Sequence, residues 1–132
     1  MSARTGLLDA LEAAFAGLSG VNKPRLVRGP RATDSPGGQP FVVARTLTYA
    51  PLPEAPMSKV RWTGLLVVVS KHKDLIRAED QLEELYEVLF TLPRSGKFSL
   101  GDATLTTYAV NADGSPAQLC LEVAVTSIFS QE

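Results

Sequence analysis

Among its 132 residues the chain has one cysteine and one histidine. Cys120 therefore has no partner for an internal disulfide, and His72 cannot anchor a His/Cys zinc site. Long apolar runs are missing too. The longest is Leu65-Leu66-Val67-Val68-Val69, against the roughly 20 residues a spanning helix needs, which excludes a membrane helix. The segment Met1–Asp9 has an acid at position 9 and no apolar stretch, so it does not read as a secretory signal. These features predict a soluble protein made in a cytoplasm, and a lone cysteine fits a reducing compartment. Charge of one sign is also lacking. The formal net charge of −1 gives the whole molecule no reason to bind nucleic acid or an anionic membrane.

Catalytic and ligand-binding motifs are equally scarce. Gly37-Gly38 is not followed by Lys-Ser/Thr opening a helix, so there is no phosphate loop. No loop carries the Asp/Asn/Gly spacing of a calcium site. His72 lies in Ser70-Lys71-His72-Lys73-Asp74, a charged link read as solvated rather than as a proton relay. Cys120 falls in an alternating strand and reads as a small hydrophobe. Lys23, Arg25, Arg28 and Arg31 form a modest basic cluster, but without interleaved aromatics they read as ordinary surface. The expectation is a protein that is not an enzyme, with no cofactor and no metal.

What is present is a good core. Apolar residues make up 45% and charged residues 20%, the balance of a soluble globular domain. A chain of this size hides roughly two-thirds of its unfolded surface without needing cross-links. Residues 1–132 are therefore read as one domain.

Hydrophobic rhythm sets the order of elements. Leu7, Leu11, Ala14, Phe15 and Leu18 recur at helical spacing, and Gly20 is a candidate cap. A short strand is predicted over 21–28, with Pro24 placing it at a sheet edge. Residues 29–40, with three prolines and three glycines, read as a flexible loop. Phe41–Tyr49 is rich in β-branched and aromatic residues and predicts a strand. Residues 50–58 carry three prolines and read as the irregular, extended arm of a hairpin. Lys59–Ser70 is its second strand, and Leu65–Val69, apolar at every position, places that strand at the sheet centre.

The clearest helix covers about 74–92. Ala78, Leu82, Leu85, Leu89 and Leu92 form its stripe, with Ile76 and Tyr86 on the flanks and Pro93 as the stop. Glu79, Asp80, Glu83, Glu84 and Glu87 fill much of the remaining circumference. Strands at about 103–110 and 117–129 follow, joined by the turn sequence Asn111–Pro116, with a small hairpin around Gly101-Asp102 before them. In the last strand Leu119, Leu121, Val123 and Val125 alternate with Gln118, Glu122 and Thr126.

The order α-β-β-β-α-β-β predicts an α+β fold: a two-layer sandwich with a mainly antiparallel sheet and two helices on one face. Val42, Ala44, Leu66, Val68, Tyr108 and Val110 are assigned to the other face. So apolar a face implies a partner. Charge is unevenly spread as well. Residues 1–61 hold eight bases and four acids, and residues 62–132 hold five and ten. Either this asymmetry joins unlike surfaces of neighbouring copies, or it is an accident of chain order.

The N-terminal helix ending near Leu18, the short strand and loop, and the long-armed hairpin Phe41–Ser70 form one pattern with two later segments. These are the helix ending Leu85-Tyr-Glu-Val-Leu89-Phe90-Thr-Leu92 and the strand Leu119-Cys-Leu-Glu-Val-Ala-Val125. This pattern resembles the tail terminator (tail completion) proteins of long-tailed bacteriophages, the minor tail protein U group. The resemblance implies a structural virion protein of the tail neck, present in the host cytoplasm during assembly. It implies a ring of copies, commonly a hexamer, that caps the tail tube, stops its polymerisation and offers a head-joining surface. The implied partners are sister copies, the tail-tube protein and the head-completion or connector protein, with DNA passing through the bore without specific binding and no membrane involved.

On that reading Arg45, Lys59 and Arg61 are candidates to face Glu79, Glu83, Glu84 or Glu87 of the next copy. The same acids would also suit a bore that does not grip DNA. Leu52, Pro53, Glu54, Pro56 and Met57 on the stiff arm are candidates to reach the tail tube. Alternative readings are another head–tail connector or neck protein, and a small α+β ligand-binding domain or enzyme whose pocket Trp62, Tyr86 and Tyr108 would line.

Overall fold

The computed structural model describes residues 3–18, 23–27, 39–52, 59–91 and 98–130. Helix α1 (Ala3–Ala14) continues into a single 3-10 turn over Phe15–Gly17. Strands β1 (Arg25–Val27), β2 (Phe41–Leu52) and β3 (Lys59–Val69) precede helix α2 (Leu75–Leu89), and β4 (Ser99–Val110) and β5 (Pro116–Ser130) complete the chain. The fold is α+β in the expected order. One five-stranded sheet has the order β1-β2-β3-β5-β4. β1 runs parallel to β2, and every other neighbouring pair is antiparallel. β3 is thus the central strand, as its two apolar faces require.

Both helices lie on the same face of the sheet. Leu7, Leu8, Leu11 and Phe15 from the N-terminal segment and Leu82, Leu85 and Leu89 from α2 meet Val42, Ala44, Trp62, Leu66, Val68, Leu121, Val123 and Val125 in the main core. At about 1.5–3 kcal/mol per buried large aliphatic or aromatic side chain, this layer supplies most of the driving force for folding. Leu8 belongs to it although the helical stripe read from sequence omitted it.

The assignment of the sheet's faces is corrected by one residue. Val42, Ala44, Leu66 and Val68 point to the helices, and the helix-free face carries Phe41, Val43, Leu65, Val67, Val69 and Cys120. A run that is apolar at every position has no phase of its own, so only pairing with β2 and β5 fixes which side each residue takes. On that face Val27, Phe41, Val67, Val69 and Cys120 are buried within a single chain. The Tyr108 ring meets Phe41 edge-on at 5.7 Å. The centre of the second face therefore does not need a partner to cover it.

Two further readings change. β2 continues through Ala50 and Pro51 to Leu52, pairing with Arg61, Val60 and Lys59. Among the described residues β1 pairs only with Phe41–Val43, so Pro51 lies where β2 is an outer strand, the place in a sheet where a proline is tolerated. Gly101 and Asp102 sit inside β4 at an irregularity between Leu100 and Ala103, not in a separate hairpin. A Cβ on Gly101 would come within 3.2 Å of the Ala124 Cβ, so the bulge brings the strands close there. The positions 19–22, 28–38, 53–58 and 92–97, including Gly20, Arg28, Arg31, Leu92 and Pro93, fall outside the described residues.

A few polar contacts fix the elements. The Arg4 Nε donates to the Ala44 carbonyl at 2.7 Å and its Nη2 to that of Val27 at 3.4 Å, tying α1 to β2 and β1. Ser70 and Gln81 are both buried, and the serine hydroxyl donates to the Gln81 Oε1 at 2.7 Å, joining the end of β3 to α2. Asp74 caps α2 by accepting from the Ile76 N–H at 3.0 Å. In the β4–β5 turn Gly114 takes φ 88°. The Ser115 hydroxyl and N–H donate to Asp113 and hold its carboxyl below the ordinary range.

Candidate functional site

Strand parity decides where the basic candidates lie. Residues 59, 61, 63, 65, 67 and 69 alternate onto one side of β3, and Val67 and Val69 belong to the helix-free cluster. Lys59 and Arg61 therefore share the helix-free face. Arg45 joins them because it pairs directly with Leu65. All three are exposed.

Each of these cations has an apolar cross-strand neighbour: Arg45 beside Leu65, Arg61 beside Ile128, and Lys59 beside Leu52. Ile128 is 58% exposed. The result is a row of three rungs along the outer half of the hairpin, each pairing a charge with an aliphatic group.

The acidic candidates occupy the other side of the molecule. Leu82, Leu85 and Leu89 turn α2 toward the core, which leaves Glu79, Glu83, Glu84 and Glu87 exposed on its outer surface. Within one chain the acids and the three bases are separated by the sheet, so no contact between the two groups is made internally. They can meet only between molecules. Of the arm residues, Leu52 is half-buried at the end of β2. Pro53, Glu54, Pro56 and Met57 lie outside the described residues.

The apolar pattern predicts Ile76 on the flank of the buried stripe. It is instead 74% exposed, and Phe90, just past the end of α2, is 52% exposed with its ring 4.7 Å from that of Tyr86. A step of about 100° per residue sets Ile76 roughly opposite the centre of the Leu82/Leu85/Leu89 stripe. The signal was in the sequence. Ile76, Glu83, Glu87 and Phe90 thus follow one outer ridge, apolar at both ends and acidic between.

The three aromatics considered as a pocket lining do not converge. Trp62 is fully buried on the helix side and its Nε1 donates to the Thr46 hydroxyl at 3.0 Å, whereas Tyr108 lies on the opposite face against Phe41. An open cleft of about 550 Å³ among the described residues is lined by Lys71, Lys73, Asn111, Pro116, Ala117 and Gln118. Its lining contains no nucleophile paired with a base. The Cys120 thiol is buried and pushed up to about 11 by desolvation and by the Glu122 charge, so it is not a thiolate at neutral pH.

Among the described residues no group of three or more metal-ligating side chains is close enough to hold an ion. No described helix is long and apolar enough to cross a membrane. In comparison with known proteins, no family model matches the chain and no curated protein matches it significantly.

Proposed function

We propose that this chain is a structural protein that works by joining copies of itself head to tail. More particularly, we propose a tail terminator: a ring, six copies in the simplest form, that caps a phage tail tube, stops its growth and offers its far side to the head-completion complex. The observation that carries the reading is the separation of exposed charge. A basic, partly apolar row lies on one face and an acidic, partly apolar ridge on the opposite one. Opposed patches of this kind favour heterologous contacts, and heterologous contacts close into rings when the rotation between copies allows it.

The arm serves as the tube contact in this account. β2 and β3 stay paired out to the Leu52–Lys59 pair, and the prolines that follow in the sequence reduce the entropy lost on docking. DNA passes through the ring without being gripped, and the chain functions in the neck of the virion after assembly in the host cytoplasm.

The test is polymerisation of the cognate tail-tube subunit with and without the chain, followed by light scattering and negative-stain imaging. Tubes should stop elongating and carry a ring at one end. A variant lacking residues 53–57 should keep its thermal transition and lose tube binding. Unchanged tube growth in the presence of the intact chain would refute the assignment.

A further inference from the structure

We infer that the outer ridge of α2 docks across the basic rungs of the next copy's hairpin, so that the acids line the joint between copies and not the bore. The inference rests on the ring reading above and specifies its contact. Three observations lead to it.

The first is length. Ile76 and Phe90 are 14 helical steps apart, about 21 Å. From Lys59 to the Arg45–Leu65 rung is six strand steps, about 20 Å. The second is charge. Among the described residues α2 has one base, Arg77, which is turned toward Asp74 at 3.9 Å. The facing stretch of β2, β3 and β5 has no acid from Arg45 to Leu52, Lys59 to Leu65 or Ala124 to Ile128.

The third is the placement of apolar groups. Ile76 and Phe90 are exposed at the ends of the ridge, and Ile128 is exposed beside Arg61 in the row that receives it. A surface meant only to stay wet beside DNA has no use for exposed aliphatic and aromatic anchors. An interface does, because desolvated apolar centres give strength while the charges around them set register.

The experiment uses two complementary variants of the whole chain. Glu83→Lys/Glu87→Lys reverses the two acids at the middle of the ridge, and Arg45→Glu/Arg61→Glu reverses two of the three basic rungs. All four positions are exposed, and each variant is first checked for an unchanged unfolding midpoint. Self-association is then followed by sedimentation velocity up to about 1 mM at low salt, where exposed charges are least screened.

Each variant alone should associate at least about tenfold more weakly than the natural chain. An equimolar mixture should recover to within about threefold, because each reversed face finds its complement, and the mixed rings should contain even numbers of copies. Phe90→Ala should weaken association without altering its salt dependence. A mixture that stays dissociated would overturn the contact, as would a natural chain that remains monomeric throughout. Dissociation caused only by Thr104→Lys/Thr107→Lys on the β4 edge would move the joint to that strand. A natural chain that forms rings through this contact but fails to bind tubes would sink the terminator reading and leave the contact standing.

Discussion

Gly64 shows how far single positions constrain this fold. A Cβ there would fall within the edge of the Trp62 indole, at its Cη2 and Cζ2, and 2.9 Å from the Arg45 carbonyl oxygen. The indole lies across the strand at that point, and its Nε1 is held by Thr46. Neither the ring nor the backbone can retreat, so Gly64→Ala should cost about 2 kcal/mol or more by overpacking, read as a lower denaturant midpoint. Cys120 gives a second residue-scale expectation. Its thiol is raised from 9.0 to about 11 in the folded protein. The unfolded chain therefore loses that proton first, and stability falls as the pH rises from about 9 to about 11. In Cys120→Ala this part of the alkaline slope should be absent, as pH-dependent urea titrations of the two proteins would reveal. At neutral pH the native thiol should alkylate far more slowly than in urea.

At the scale of elements, α2 is capped by Asp74, packed through Leu82, Leu85 and Leu89, and joined to the end of β3 by the buried Ser70–Gln81 bond. Asp74→Ala should destabilise by about 1 kcal/mol, measured by thermal or chemical unfolding. The hairpin, the central strand, α2 and the alternation of β5 could be read from residue order, because each has a clear period or a clear break. Three things could not. The continuation of β2 past Pro51 depends on that stretch having only one sheet neighbour among the described residues, a fact of topology. The sides taken by Val42 and Leu66 depend on register, since Leu65–Val69 is apolar without phase. The close approach of β4 to Ala124 at Gly101 depends on pairing with a residue 23 positions further along the chain. The candidate site was legible as two charge groups. Their placement on opposite sides of the sheet required the fold.

At the scale of the whole molecule, buried and exposed apolar groups are divided unevenly. The centre of the helix-free face is closed within one chain, so the case for assembly moves from that centre to the outer hairpin and the α2 ridge. On the proposed contact between exposed charges, self-association should weaken as salt rises, while the unfolding midpoint of the single chain changes little. Sedimentation and calorimetry over the same salt series would separate the two.

The most direct measurement is a cryo-electron microscopy reconstruction of tail-tube ends formed in the presence of the chain. The expected result is one closed ring on the terminal tube layer, with the hairpin arms pointing into the tube and α2 of each copy against the hairpin of the next. Bare tube ends, or copies bound singly along the tube wall with no contact between them, would contradict the account.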